Sequence, residues 1–127
     1  MKKLTTTLCL TLTLLLGSVS MSWSADFQKG LNAYRSGDYA TALREWTPIA
    51  EQGNALAQSN LGFMYEKGVG VLQDPVYAHM WWNIAASSGN KVAVKNRDII
   101  AKRMTPADIS TAQKLARECV RKKYKGC

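Results

Sequence analysis

Few residues in this chain could carry covalent or metal chemistry, and their spacing limits each of them. Ser88-Gly89-Asn90-Lys91 fits S-x-x-K, the pattern in which a lysine activates a serine nucleophile in penicillin-recognising enzymes. That chemistry needs the serine at a helix N-terminus, a buried lysine beside it, and companion S-D-N and K-T-G segments. Ser88 instead ends a helical stretch beside a turn glycine, and neither segment is present. A penicillin-binding or β-lactamase-like hydrolase is therefore the weakest reading. His79 is the single histidine, without triad or metal partners at a readable spacing, so it reads as a partly exposed helix residue. One histidine and three cysteines do not make a Cys/His zinc site, and neither metal nor cofactor is expected.

Aromatic and basic residues remain. Trp46, Trp81 and Trp82 could stack on a sugar or an aromatic ligand, but helical spacing favours packing for Trp46 and Trp82. Trp81 is the aromatic expected to be partly exposed. The chain carries 17 Lys/Arg against 9 Asp/Glu, a net charge of +8. The excess is local: residues 26–90 hold four basic and six acidic side chains, whereas residues 91–127 hold eleven and three. Arg121, Lys122, Lys123 and Lys125 crowd the end of the last helical stretch, where cations complement the helix dipole. An anionic lipid, lipopolysaccharide or an acidic protein would suit such a surface. Nucleic acid is not an expected partner of an exported chain.

Export is read from the first 25 residues. Lys2 and Lys3 precede the apolar run Leu4–Leu16, and Ser22, Ser24 and Ala25 offer small residues for cleavage after Ser24 or Ala25. The run is short for a bilayer span. The expected product is a periplasmic or secreted protein, not an integral membrane protein once cleaved. Cys9 would leave with the leader, so Cys119 and Cys127 remain. An even count in an exported chain fits one disulfide, and a separation of eight residues permits it if the helix stops near Arg121–Lys123 and the chain folds back.

The elements that must position these residues are helical. At 127 residues, 46% hydrophobic and 20% charged, the chain is one globular domain at most, not a disordered, collagen-like or polytopic membrane protein. Helices are expected over Asp26–Ser36, Tyr39–Gln52 (with Pro48 as a kink), Ala55–Lys67, Pro75–Ser88, Lys91–Arg103 and Pro106 to about Lys123. Asp38, Asp74 and Thr105 serve as N-caps, and Gly37, Gly53 and Gly89 as stops. An internal repeat appears at a shift of 36: Ala42 with Ala78, Trp46 with Trp82, Ala50 with Ala86, Gly53-Asn54 with Gly89-Asn90, Ala57 with Ala93, Asn60 with Asn96. Small residues would let paired helices approach, and the Trp rings would fill the space between adjacent pairs. No pair buries its apolar face alone, so neighbours must stack. The fold class is all-α, a short α-solenoid of antiparallel helix pairs with a C-terminal capping helix.

The series Leu61-Gly62, Tyr65, Gly68, Gly70-Val71, Asp74, Ala78, Trp81-Trp82, Ala85-Ala86 and Gly89 resembles the Sel-one-like repeat, a branch of the tetratricopeptide superfamily. The resemblance is strong over residues 55–93 and divides the chain into a leader (1–25), a degenerate first repeat (26–54), a full repeat (55–90), and a degenerate third repeat with a helical cap (91–127). In the first repeat Leu31 is read in the place of Gly62, with a loop five residues shorter. The resemblance implies a non-enzymatic scaffold that binds a protein or peptide. By the superfamily's analogy the first helix of each pair lines a concave groove, which would present Asn32, Arg35, Asn60, Phe63, Glu66, Lys95 and Lys102. Cysteine-rich relatives use a pair spaced like Cys119 and Cys127 to tie one unit to the next; here the bridge would fasten the open end.

Overall fold

A computed structural model describes residues 22–127, with side chains described from Phe27 onward. The expected leader therefore lies almost wholly outside the described residues. Six helices follow: α1 (Ser22–Ser36), α2 (Tyr39–Glu51), α3 (Ala55–Lys67), α4 (Pro75–Ser87), α5 (Lys91–Ala101) and α6 (Pro106–Arg121). Among the described residues there is no strand. None of these helices is long and apolar enough to cross a membrane.

Local chemistry sets the boundaries. Backbone N–H groups at the start of a helix lack partners within it, and a short polar side chain supplies one. Asp38 accepts from the Thr41 N–H, Asn54 from Ala57, Asp74 from Val76 and Tyr77, Asn90 from Ala93, and Thr105 from Asp108. Pro75 and Pro106 open α4 and α6, where their missing N–H costs nothing. α2 and α4 end in the same way. The Gly53 and Asn54 N–H groups donate to Ala50 and Ile49, and those of Gly89 and Asn90 to Ala86 and Ala85. Both turns place glycine at positive φ, 95° and 88°, where a Cβ would be strained.

Ends differ from expectation by small amounts. α1 begins four residues before Asp26, α5 stops two residues short of Arg103, and Pro48 lies on the exposed side of an α2 that continues to Glu51.

α1 packs on α2, α3 on α4, and α2 on α3, so two helix pairs stack side by side. α5 adds to the end of this stack against α4. α6 also packs along α4 and hardly meets α5, so the capping helix closes over the second repeat. One core cluster joins Trp46, Ile49, Leu61, Met64 and Trp81 to Ala116 and Cys119 of α6. A second joins Trp82, Ala85, Ala93 and Ile100 across α4 and α5.

Candidate protein-interaction surface

Two buried indoles organise the face formed by the first helices. Trp46 lies across α1: its Nε1–H donates to the Phe27 carbonyl at 3.2 Å. Trp82 lies across α3 and donates to the Ser59 carbonyl at 3.1 Å. Each ring covers a glycine three residues beyond that carbonyl. A Cβ at Gly30 would lie 2.5 Å from the Trp46 Nε1, and a Cβ at Gly62 would lie 2.5 Å from the Trp82 Nε1. Each Trp is thus clasped first by its own pair, not held simply between pairs as the repeat pattern suggested.

The equivalence also corrects the register. Gly30, not Leu31, stands where Gly62 stands, so the loop of the first repeat is four residues shorter than that of the second.

Between α1 and α3 the clasp leaves a shallow cavity of about 280 Å³ lined by Leu31, Tyr34, Trp46, Asn60 and Phe63. Its walls are aromatic. Tyr34 packs against Trp46 at 5.6 Å between ring centres, and Phe63 meets Trp82 edge-on at 5.3 Å. Asn60 is the polar group among them and is half-buried. Glu66 lies in a neighbouring recess with Gln73, Pro75 and Ile100, where its carboxylate pairs with Arg103 at 3.1 Å. Asn32 is exposed and accepts from the Gln28 side chain. Arg35, Lys95 and Lys102 are exposed and line neither recess.

The structure therefore brings Asn60 and Phe63 together, sets Glu66 beside them, and leaves the other four at the periphery. Sequence reasoning did not assign Leu31, Tyr34 or Arg103 to this surface, and it read Trp46 as packing alone. Tyr34 lies one turn beyond Leu31, a signal that was readable. Arg103 meets Glu66 from 37 residues away, and no local pattern announces that.

The basic end is built by a turn and a bridge. α6 stops at Arg121, and the chain reverses through Lys123 and Tyr124, both at positive φ. The Tyr124 N–H donates to the Cys119 carbonyl at 2.9 Å. Cys119 and Cys127 are joined, with α-carbons 5.6 Å apart. The Tyr124 ring lies over Gly53 at the α2–α3 turn, where a Cβ would come within 3.3 Å of it. Arg121, Lys122, Lys123 and Lys125 are all exposed.

Two expectations of exposure fail. Trp81 is 3% exposed, because α6 packs along α4 and its Ala116 and Cys119 join Trp81 in one core cluster. His79 is also 3% exposed, and its Nδ1 has no hydrogen-bond partner. Burial holds the imidazole below the ordinary histidine range, the nearby Arg97 cation adds to this, and Asp98 opposes it. Ser88 caps the C-terminus of α4 and Lys91 opens α5, both exposed.

Stacked helix pairs with this glycine–indole clasp define an α-helical repeat protein. The Sel1 repeat family matches residues 55–90. Human protein sel-1 homolog 2 is 36% identical over 75 residues, which is 56% of this chain and 11% of that protein. A crystal structure of c5321, described as a protective antigen present in uropathogenic Escherichia coli strains displaying an SLR fold, superposes with a TM-score of 0.70. It is 28% identical, over 80% of this chain and 24% of that one. The match to the Sel1 repeat covers the α3–α4 helix pair, and this chain spans a small part of the length of these relatives.

Proposed function

We propose that this chain is an exported, non-enzymatic interaction module that binds a peptide segment of another protein on the face formed by α1 and α3. Sel1 repeats generally mediate protein–protein interactions. The observation that carries the reading is the cavity of Leu31, Tyr34, Trp46, Asn60 and Phe63, aromatic walls around one half-buried amide. Such a recess takes an apolar side chain while the amide fixes backbone direction. Asn32, Arg35, Glu66, Lys95 and Lys102 would then serve as an outer polar rim. Support for export comes from the charged and apolar leader of the sequence and from the joined Cys119 and Cys127, since disulfides persist in oxidising compartments.

The test is retention of envelope proteins by the immobilised mature chain. Asn60→Ala is expected to lose what the unaltered chain retains, with an unchanged melting curve. Equal retention by Asn60→Ala and Phe63→Ala would contradict this face. A second reading places binding on the exposed cations of the bridged turn. That mode would weaken steeply with salt, because exposed charges are screened over about 8–10 Å.

A further inference from the structure

A second groove lies on the opposite side of the second repeat, between α4 and α6. It is open and has a volume of about 530 Å³. Ile84 and Ala116, both buried, form its floor with Val120, which is 46% exposed although it is apolar. Its polar groups are Asn83, Arg117 and Arg121, with Ser87 at one end. Arg117 and Arg121 are one helical turn apart on α6, about 6 Å along the axis. Neither makes an ion pair with any described residue, and no carboxylate lines the groove. The Asn83 Oδ1 is occupied by the Arg97 guanidinium at 3.2 Å, which leaves its amide N–H groups as donors. The Ser87 hydroxyl proton is spent on the Ile84 carbonyl.

The groove therefore offers fixed donors and two cations around an apolar floor. We infer that it is a docking site for an acidic peptide segment of a partner protein. One aliphatic side chain of the segment rests on Ile84, Ala116 and Val120, and carboxylates flanking it engage Arg117 and Arg121. Guanidinium groups match carboxylates in two parallel hydrogen bonds, so paired arginines favour such a segment over a diffuse charge. A concave recess of this size suits one or two side chains, whereas a bilayer surface is flat. The reversal at Lys123–Tyr124 and the Cys119–Cys127 bridge direct the terminal residues toward the α2–α3 turn, which leaves Val120 uncovered. The inference rests on the reading of the chain as an interaction module, but it places this contact on a different face from the α1–α3 cavity.

The probe is a fluorescein-labelled octapeptide with a central leucine between glutamates, titrated against the oxidised chain and followed by anisotropy. Binding is expected to weaken at least about tenfold in the Arg117→Gln/Arg121→Gln double variant, the scale of two lost charge-assisted contacts. Ser110→Ala, exposed on α6 and outside both recesses, should bind this probe like the unaltered chain. A companion peptide with alanine for leucine should bind more weakly, and one with lysines for glutamates should not bind. Equal affinity in the double variant would overturn the groove while leaving the α1–α3 reading intact. So would loss of binding in Asn60→Ala with the double variant unaffected. Absence of peptide binding, with phosphatidylglycerol vesicles retained through Arg117 and Arg121, would assign the cations to a membrane and refute the peptide.

Discussion

Gly62 and Trp82 are in contact so close that the glycine has no room for a side chain: a Cβ would fall 2.5 Å from the indole Nε1. The ring takes that space, and its N–H reaches the Ser59 carbonyl one turn earlier. Gly30 and Trp46 repeat this geometry one pair earlier, with the Phe27 carbonyl as acceptor.

Gly62→Ala is expected to destabilise the chain by about 1–3 kcal/mol, the usual cost of overpacking a tight core contact. Gly30→Ala should cost a similar amount, because the clash is with the equivalent indole atom. Urea denaturation of the two variants measures both. A loss under about 0.5 kcal/mol at either site would mean that the clasp is loose there.

Trp82→Ala should cost about 3–5 kcal/mol, since it empties a large buried site. Trp82→Phe isolates the hydrogen bond. It keeps most of the apolar ring and removes only the N–H donor, leaving the Ser59 carbonyl to its helical partner, for roughly 1 kcal/mol beyond the lost ring area. Equal losses in the two variants would place the energy in the N–H and not in the ring.

Stability is expected to fall as pH drops below the ordinary histidine range. His79 is buried, and its folded pKa lies below the unfolded value of about 6.5. Between the two values the unfolded chain holds a proton that the folded chain does not, so stability rises with pH across that window. It is complete above the unfolded pKa and is lost as pH falls toward the folded one. The denaturation midpoint of His79→Gln should lack this slope between pH 7 and 5. An unchanged slope would assign it to other groups.

Reduction of Cys119–Cys127 should cost roughly 2–3 kcal/mol in the chain-entropy picture for so small a loop. Thiol titration of the chain made in the periplasm should find no reactive thiols before reduction. Two titratable thiols would contradict both the bridge and the fixed basic turn.

What could be read from the sequence followed from range. Caps and turn glycines act within three or four residues, so Asp38, Asp74 and Thr105 with Gly37, Gly53 and Gly89 delimit helices whose interiors matched expectation; the structure adds Asn54 and Asn90 as caps. The bridge at the end of α6 was legible for the same reason. Burial of Trp81 and His79 was not, because α6 and α5 reach α4 through tertiary packing. The Gly30 register was hidden by the loop between α1 and α2, four residues shorter than its counterpart: α2 and α4 repeat at 36, but α1 and α3 at 32. Of the expected surface, Asn60 and Phe63 share a cavity because both lie on α3, one turn apart. Its other wall comes from α1 and α2, whose offset the sequence pattern placed one residue away.

The central claim is that the α1–α3 face holds a partner protein. A photo-crosslinking residue placed at Asn60 in the full 127-residue chain, expressed and irradiated in living cells, tests it most directly. Ser110 lies exposed on α6, away from that cavity, and serves as the control position. The account predicts a discrete adduct with an envelope protein from position 60 and none from position 110. No adduct from position 60, or the same adducts from both positions, would contradict it.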